Sequence, residues 1–347
     1  MPPSPLAFSP LAFPRPILHP DVYRAEKAIG DLADFGVVTL APDGRVYTSR
    51  RDLEGAFHAK FWTPRERLAA GFDLGGLLRS VLPTVFDGQG ASCHSEKSGP
   101  YRRVYSKPGF SFLGADVFLP SAEDGGVFEN KDAGHGDTSF VYVGGWGTRG
   151  GAVDAGFQHG RSAKSSSDDW APFFLVQQPG GPSASIVSPE RQDGGAPWRL
   201  AGGTNAKLKF WVTRDAQGTM LHLFVGGTTS QDGKEDALTL SAPIDDSYAW
   251  DPRGGRNVLK RMTTIGQTFG QENLASGSHL HGVHWRGCTI GRTEADARPW
   301  TSEQTGGYCS FPDPKTPEGA RADDPSQPKW RVQWVSAAEE TDSVTLK

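Results

Sequence analysis

The stretch KLKFWVTRDAQGTMLHLFV, residues 207–225, changes polarity at every second residue on both sides of a short polar break. That period belongs to β-strands, whose successive side chains point to opposite faces, and a helix does not reproduce it. With 215–218 as the turn, Leu208, Phe210 and Val212 share one face, and Leu221, Leu223 and Val225 continue it across the hairpin. The opposite face presents Lys207, Lys209, Trp211, His222 and Phe224. A Trp on that side either lies beneath another part of the chain or offers a flat apolar surface to a ligand such as a sugar ring.

The same reading extends over 86–311. FSFLGADVFL, TSFVYVGGW, GAVDAGFQ, WAPFFLVQQ, DALTLSAP, KRMTTIGQTF and LHGVHWRGCTIG are strand-like runs separated by Gly-, Pro- or Asp-rich pieces, as a sandwich or jelly roll requires. The 44 glycines and 26 prolines supply the turns, and ten Trp with nineteen Phe supply core volume.

One motif raises a rival fold. Gly145-Trp146-Gly147-Thr148-Arg149-Gly150 spells G-x-G-x-x-G after an apolar run. In a dinucleotide site the third glycine leads into a helix whose N-terminus faces the pyrophosphate. Here AVDAGFQHG follows, with Val153, Ala155 and Phe157 at period two and Gly156 and Gly160 weakening any helix. The motif is expected to be a hairpin turn.

Composition divides the remainder. Residues 1–20 form a Pro-rich extended arm carrying the near-duplicate SPLAF-SPLAF. Residues 21–85 read as a small α+β appendage: helices over 21–36 and 63–82, and a hairpin around Pro42-Asp43-Gly44. A linker at 312–329 precedes a closing strand, WRVQWVS, with Trp330, Val332 and Trp334 facing inward. The acidic AAEETDS after it reads as a solvated tail within 330–347.

The succession FVYVGGW…GGAVDAGFQHG…DDWAPFFL…KLKFWVTRD…MLHLFVGG…LKRMTTIGQ…GVHWRGCTIG resembles the concanavalin A-like lectin/glucanase superfamily, in particular its bacterial branches, over roughly residues 105–311. The resemblance implies an all-β fold, a two-sheet antiparallel jelly-roll sandwich with one concave face that binds or cleaves glycans. The E-x-D-x-x-E strand of the laminarinase type and the Q-[IV]-H strand of the alginate-lyase type are missing. So is the legume-lectin calcium pattern, and no catalytic residue carries over.

The expected ligand surface therefore comprises Asp154 and Gln158, on one face of their strand, with Lys207, Lys209, Trp211, His222 and Phe224. Glu129, Asp132, Asp154, Asp168 and Asp169 are the carboxylates available for hydrolysis, none at the i, i+2 spacing that aligns two on one strand. His279 and His281 share a strand face, and His284 joins them only across a bulge. These histidines, and His135 with Asp137, are the candidate metal ligands, for Ca²⁺ or zinc; no other cofactor is implied. A net charge of −4 gives no global pull toward nucleic acid, although Arg102, Arg103 and Lys107 cluster near Tyr101 and Tyr105. No apolar run approaches the ~20 residues of a membrane span.

The leading expectation is a non-catalytic, lectin-like protein that binds an oligosaccharide or polysaccharide. A polysaccharide-cleaving hydrolase or lyase of the same fold is the alternative, and a cytosolic nucleic-acid-binding stress-response protein the second. Three cysteines without a signal-peptide pattern point to free thiols in the cytoplasm. A Cys288–Cys309 bridge in an extracellular chain is the competing expectation, contributing about 3 kcal/mol.

Overall fold

The computed structural model describes residues 95–160, 167–176, 198–215, 218–268, 270–312 and 329–347, with the strands at 38–40, 46–48 and 184–187. The Pro-rich arm, both helices expected in the appendage and most of the linker lie outside the described residues. Among the described residues no helix is long and apolar enough to cross a membrane.

Strands are numbered in chain order. β1 (Val38–Leu40) and β2 (Val46–Thr48) pair antiparallel, Val38 opposite Thr48, around the Pro-Asp-Gly segment. There follow β3 (Tyr101–Ser106), β4 (Phe112–Leu119), β5 (Val127–Phe128), β6 (Thr138–Gly147) and β7 (Gly150–His159). Next come β8 (Asp169–Val176), β9 (Ala184–Val187), β10 (Leu200–Ala201), β11 (Thr204–Asp215), β12 (Gly218–Thr228) and β13 (Glu235–Ile244). The chain closes with β14 (Val258–Gly266), β15 (His279–Gly291), β16 (Arg298–Pro299), β17 (Thr305–Phe311), β18 (Trp330–Ser336) and β19 (Glu339–Thr345).

Apart from the β1–β2 pair, these strands build a two-sheet antiparallel sandwich. One sheet runs β10-β8-β7-β6-β14-β3-β17, with β9 beside β8. The other runs β13-β12-β11-β4-β15-β19-β18, with β5 and β16 added to β15. Alternation decides what lies between them: Val141, Val143, Val153, Ala155, Phe157 and Phe174 from the first sheet meet Leu208, Phe210, Leu221, Leu223, Val225 and Trp285 from the second in one core. The nine strand-like runs read from the sequence all appear as strands.

The Gly-rich motif is the β6–β7 hairpin, its tip at Thr148-Arg149, and no helix begins at Gly150. Gly151, at φ +69°, shows why the sequence needs glycine here: a Cβ would lie 2.5 Å from Cγ of Tyr248. The turn is thereby pressed against the loop that follows β13.

The acidic C-terminal segment is not a solvated tail. It is β19, an inner strand between β15 and β18; its alternate side chains Glu340, Asp342 and Val344 are buried, as is Leu346 just beyond it. Two arginines from the facing sheet explain how acids come to lie there. Arg102 Nη2 donates to Glu340 Oε2 at 2.7 Å, and Arg261 Nη1 donates to Glu340 Oε1. Thr263 Oγ1 donates to Asp342 Oδ2 at 2.7 Å and accepts from Trp285 Nε1 at 3.0 Å. Burial and the neighbouring Glu340 charge push the Asp342 carboxyl up to about 7, whereas the Arg261 and Arg102 charges overcome burial to hold Glu340 low.

The same contacts correct the basic cluster read near Tyr101. Arg102 points into the core, and Arg103 points to the outer face, buried and paired with Glu96 at 3.1 Å. The two therefore form no exposed basic patch. The cysteine expectation also changes. Cys288 is a free thiol in the core, pushed up to about 11 by burial, and Cys309 is disulfide-bonded. A Cys288–Cys309 bridge does not form; the partner of Cys309 lies outside the described residues.

Candidate functional site

The β11–β12 hairpin has the register that the sequence pattern requires, with Trp211 opposite His222 and Lys209 opposite Phe224. Trp211 stacks on His222 at 4.9 Å between centroids and 16° between planes, and its other neighbour in the sheet is Phe112 of β4. His222 Nε2 lies 2.7 Å from Thr213 Oγ1, which fixes the imidazole and, through it, the indole. Lys209 Nζ sits 5.3 Å from the centre of the Phe224 ring and pairs with Glu294 at 2.5 Å. Trp211, His222, Lys209 and Phe224 are half-buried, and Lys207 is exposed.

Asp154 and Gln158 share the outward face of β7, since Val153, Ala155 and Phe157 enter the core. They belong to the other sheet, so the core separates them from Trp211. The structure does not bring these seven residues onto one ligand surface. Asp154 Oδ1 instead lies 2.6 Å from Nζ of the buried Lys260, which sits over Trp146 at 4.4 Å and Tyr142 at 5.5 Å.

Trp211 stands at the edge of an open cleft of about 1090 Å³ at one end of the sandwich. Three loops and the ends of β4 and β11 wall it. The first loop is the β6–β7 tip, held by Thr148 N and Arg149 N donating to Ala249 O (3.3 Å) and Tyr248 O (3.0 Å). The second, 245–257, is fixed where Trp250 Nε1 donates to Gly151 O at 2.9 Å. Its far end is closed by Asn257 Nδ2 donating to Asp251 O at 2.7 Å, while Asn257 Oδ1 accepts from Asp251 N at 3.0 Å. The third is the 292–296 turn, where Asp296 Oδ1 accepts from Thr293 N at 2.7 Å. The Ser111 hydroxyl lies 2.7 Å from Pro252 O and 2.6 Å from Arg292 O, tying the second and third loops to β4. The cleft is thus held open by satisfied backbone groups and needs no ligand to form it.

Sequence reasoning named Glu129 and Asp168 as separate carboxylates but did not single out His159 or the buried group that the three form. His159 Nδ1 lies 3.5 Å from Glu129 Oε1 and its Nε2 lies 3.1 Å from Asp168 Oδ1. Lys131 pairs with Glu129 at 2.6 Å, and Asp168 accepts from Ala122 N and Glu123 N at 2.7 and 3.0 Å. Burial pulls the imidazole down, but the hydrogen bonds and charges of Asp168 and Glu129 reverse this and carry it to about 9. Against the same burial, His159 and Lys131 hold Glu129 at about 2, while His159 and the two backbone amides hold Asp168 at about 2. The group is a charged pin between β7 and two loops. Glu129, Lys131 and Asp168 lie 30, 28 and 9 residues from His159, with no periodicity linking them.

The histidine expectations divide. A bulge at Gly282, φ +77°, carries His284 onto the outward face with His279 and His281. His279 and His281 stack at 4.4 Å, yet each ring is held elsewhere: His279 Nε2 by Gly125 O at 3.1 Å, His281 Nε2 by Thr345 Oγ1 at 2.7 Å. His284 pairs with Glu339 at 3.3 Å. Asp137 is buried and accepts from Gln267 Nε2 (2.8 Å), Ser278 Oγ (2.6 Å) and Ser276 Oγ, while His135 accepts from Asn273 Nδ2 at 3.0 Å. Among the described residues no three His, Cys, Asp or Glu side chains are placed to hold a metal ion.

No protein-family model and no curated protein matches the chain. Among solved structures it is similar to scytalido-glutamic peptidase with a peptide-based transition-state analogue, at a TM-score of 0.41 and 9% identity, over 71% of this chain and 98% of that one. A second structure of scytalido-glutamic peptidase, with a transition-state analogue inhibitor, gives 0.40 and 9% over 72% and 98%. At these values no residue role passes from the peptidase to this chain.

Proposed function

We infer that this protein binds a glycan in the cleft beside Trp211, without cleaving it. The observation that carries the reading is a half-buried indole, held flat against His222, at the edge of an open cleft of about 1090 Å³. The face of a pyranose ring stacks on such a surface, while its hydroxyls require donors and acceptors nearby. Thr148, Thr213, Asp251 and the lining arginines supply them. The volume suits a short oligosaccharide.

Binding is favoured over hydrolysis by the state of the acids. Glycosidic cleavage calls for one carboxyl kept protonated near neutral pH beside a second that is ionised. In the cleft, the Thr219 hydroxyl and Arg214 hold Asp246 below its ordinary range, Glu294 is paired with Lys209, and Asp251 accepts from the backbone N–H of Arg253 at 2.8 Å. Among the described residues, the carboxyl pushed upward is Asp342, and it is sealed between the sheets.

Titration calorimetry against a panel of neutral and acidic polysaccharides tests the reading. Trp211→Ala should weaken the bound member by about 2 kcal/mol or more, roughly 30-fold, with Tm little changed. Binding that survives this substitution, or no binding across the panel, removes the proposal. New reducing ends from any polysaccharide would replace it with hydrolysis.

A further inference from the structure

We propose that the cleft selects acidic glycans, those carrying carboxylate or sulfate groups, a specificity that rests on the glycan-binding reading above. The cleft carries a local imbalance of charge. Arg149, Arg214, Arg253 and Arg292 line the cleft with Asp246, Asp251 and Glu294. Two of the acids are already answered: Asp246 by Arg214 at 2.7 Å, and Glu294 by Lys209 at 2.5 Å from the sheet face. Asp251 spends one oxygen on the backbone N–H of Arg253, at 2.8 Å.

The guanidinium groups of Arg149, Arg253 and Arg292 make no ion pair or hydrogen bond with any described residue, and all three residues are exposed. Among the described residues, three unanswered cations therefore face a single carboxylate. The whole chain carries −4, so this surplus runs against the balance of the molecule and is a local feature.

The three arginines come from three separate loops whose backbones are tied together. Arg149 N donates to Tyr248 O, and the carbonyl of Arg292 shares the Ser111 hydroxyl with that of Pro252, next to Arg253. Their roots are thus preorganised around the space in front of Trp211. A guanidinium is a planar fork that matches carboxylate or sulfate oxygens in pairs, and it is weakly hydrated enough to exchange water for them. A neutral sugar would stack on Trp211 and leave all three charges to solvent. An acidic sugar polymer presents an anion on ring after ring and meets several at once.

A single-stranded nucleic acid also combines stacking with negative charge. Such sites offer aromatic faces to successive bases. Here Phe112 and Trp250 are buried in the cleft wall, at 4% and 1% exposure, so among the described residues Trp211 is the available aromatic platform in the lining. One platform among several cations fits a charged sugar better than a run of bases.

The test is calorimetry on the full chain with polygalacturonate, the same polymer fully methyl-esterified, heparin, xylan and a (dT)20 oligonucleotide, at 50 and 200 mM NaCl. Polygalacturonate or heparin should bind at least tenfold tighter than the esterified polymer and xylan. Three cation–anion contacts should cost about 20-fold in affinity between the two salt concentrations, using the slope for single-stranded polyanions. The triple variant Arg149→Gln/Arg253→Gln/Arg292→Gln should lose that preference and most of the salt dependence. Arg256→Gln, exposed and outside the cleft, should change neither. If the triple variant has a lowered Tm, the three single variants are read instead, each removing about a third of the salt slope.

Equal binding of the acidic and esterified polymers, abolished by Trp211→Ala, would overturn the acidic specificity while leaving glycan binding intact. No binding of any polysaccharide removes both. Tightest binding to (dT)20 replaces the glycan by nucleic acid. Acid preference that survives the triple variant also overturns the proposal.

Discussion

Replacing Glu340 by Gln exchanges one carboxylate oxygen for an NH2 group and keeps the shape, so it isolates the charge that joins the sheets. In the native chain one carboxylate faces two guanidiniums, with Arg102 Nη2 at 2.7 Å and Arg261 Nη1 in direct contact, all with side chains at most 1% exposed. At a separation of about 4 Å between charge centres and an effective dielectric constant near 20, each pair is worth about 4 kcal/mol of gross attraction. Not all of that is lost. Arg102 keeps Ser310 Oγ at 3.2 Å and the faces of Tyr308 and Trp334, each at 5.7 Å; Arg261 keeps Ala337 O at 3.2 Å and the face of Trp285 at 5.6 Å. Neutralising Glu340 also removes one of the two causes that raise Asp342, which then ionises more readily and takes over part of the role. The net cost is about 3–5 kcal/mol, as for other broken buried pairs. In a domain of this size that lowers Tm by about 6–10 °C. Differential scanning calorimetry of wild type and Glu340→Gln at one pH reads it directly. A drop below about 2 °C would mean that Glu340 is solvated, and the interior placement of β19 would be wrong.

Three further outcomes follow from the same geometry. His159 has a folded pKa of about 9 against an ordinary 6.5, so its contribution of about 3 kcal/mol is complete below pH 6.5 and lost as pH rises through 9; Glu129 and Asp168, both held at about 2, contribute above pH 4.5 and lose it as pH falls through 2. His159→Gln should therefore flatten the alkaline limb of a Tm–pH curve, and an unchanged limb contradicts the pin. Asp342 is an acid raised to about 7, so the folded state holds a proton that the unfolded chain releases near pH 4, and stability falls as pH rises between those values; Asp342→Asn should be near neutral at pH 4 and stabilising at pH 8 by chemical denaturation, and equal effects at both would refute the shift. Gly151→Ala sets a Cβ 2.5 Å from the Tyr248 ring at φ +69° and should cost about 2–4 kcal/mol, with the exchange protection of the Arg149 amide reduced by hydrogen-exchange mass spectrometry.

How much of this was legible in the residue order depends on what each residue reports. Leu208, Phe210, Val212 and their partners across the hairpin announced their faces because apolar side chains at period two mean one thing for a strand. β19 carries the same alternation, but Glu340 and Asp342 stand where Val or Leu would have signalled a core. Only Arg102 and Arg261, 238 and 79 residues before Glu340, make those positions habitable, and separations of that kind leave no local trace. Tyr101–Ser106 was hidden for the same reason, its Arg102 and Arg103 reading as surface. At the site, Trp211 and His222 were visible as an outward aromatic pair. Which other outward residues join them is set by which sheet each strand enters, so Asp154 and Gln158 were wrongly grouped with them, whereas Arg149, Arg253 and Arg292 come together only through loop ends that fold back on β4.

The most direct test of the account is a crystal structure of the protein with the tightest-binding oligosaccharide of the panel at saturation. The account predicts a sugar ring stacked on the exposed face of Trp211, with neighbouring residues of the ligand running between the hairpin tip at Arg149 and the turn at Arg292. Ligand on the opposite sheet, against Asp154 and Gln158, or a cleft that stays empty at saturation, would contradict it.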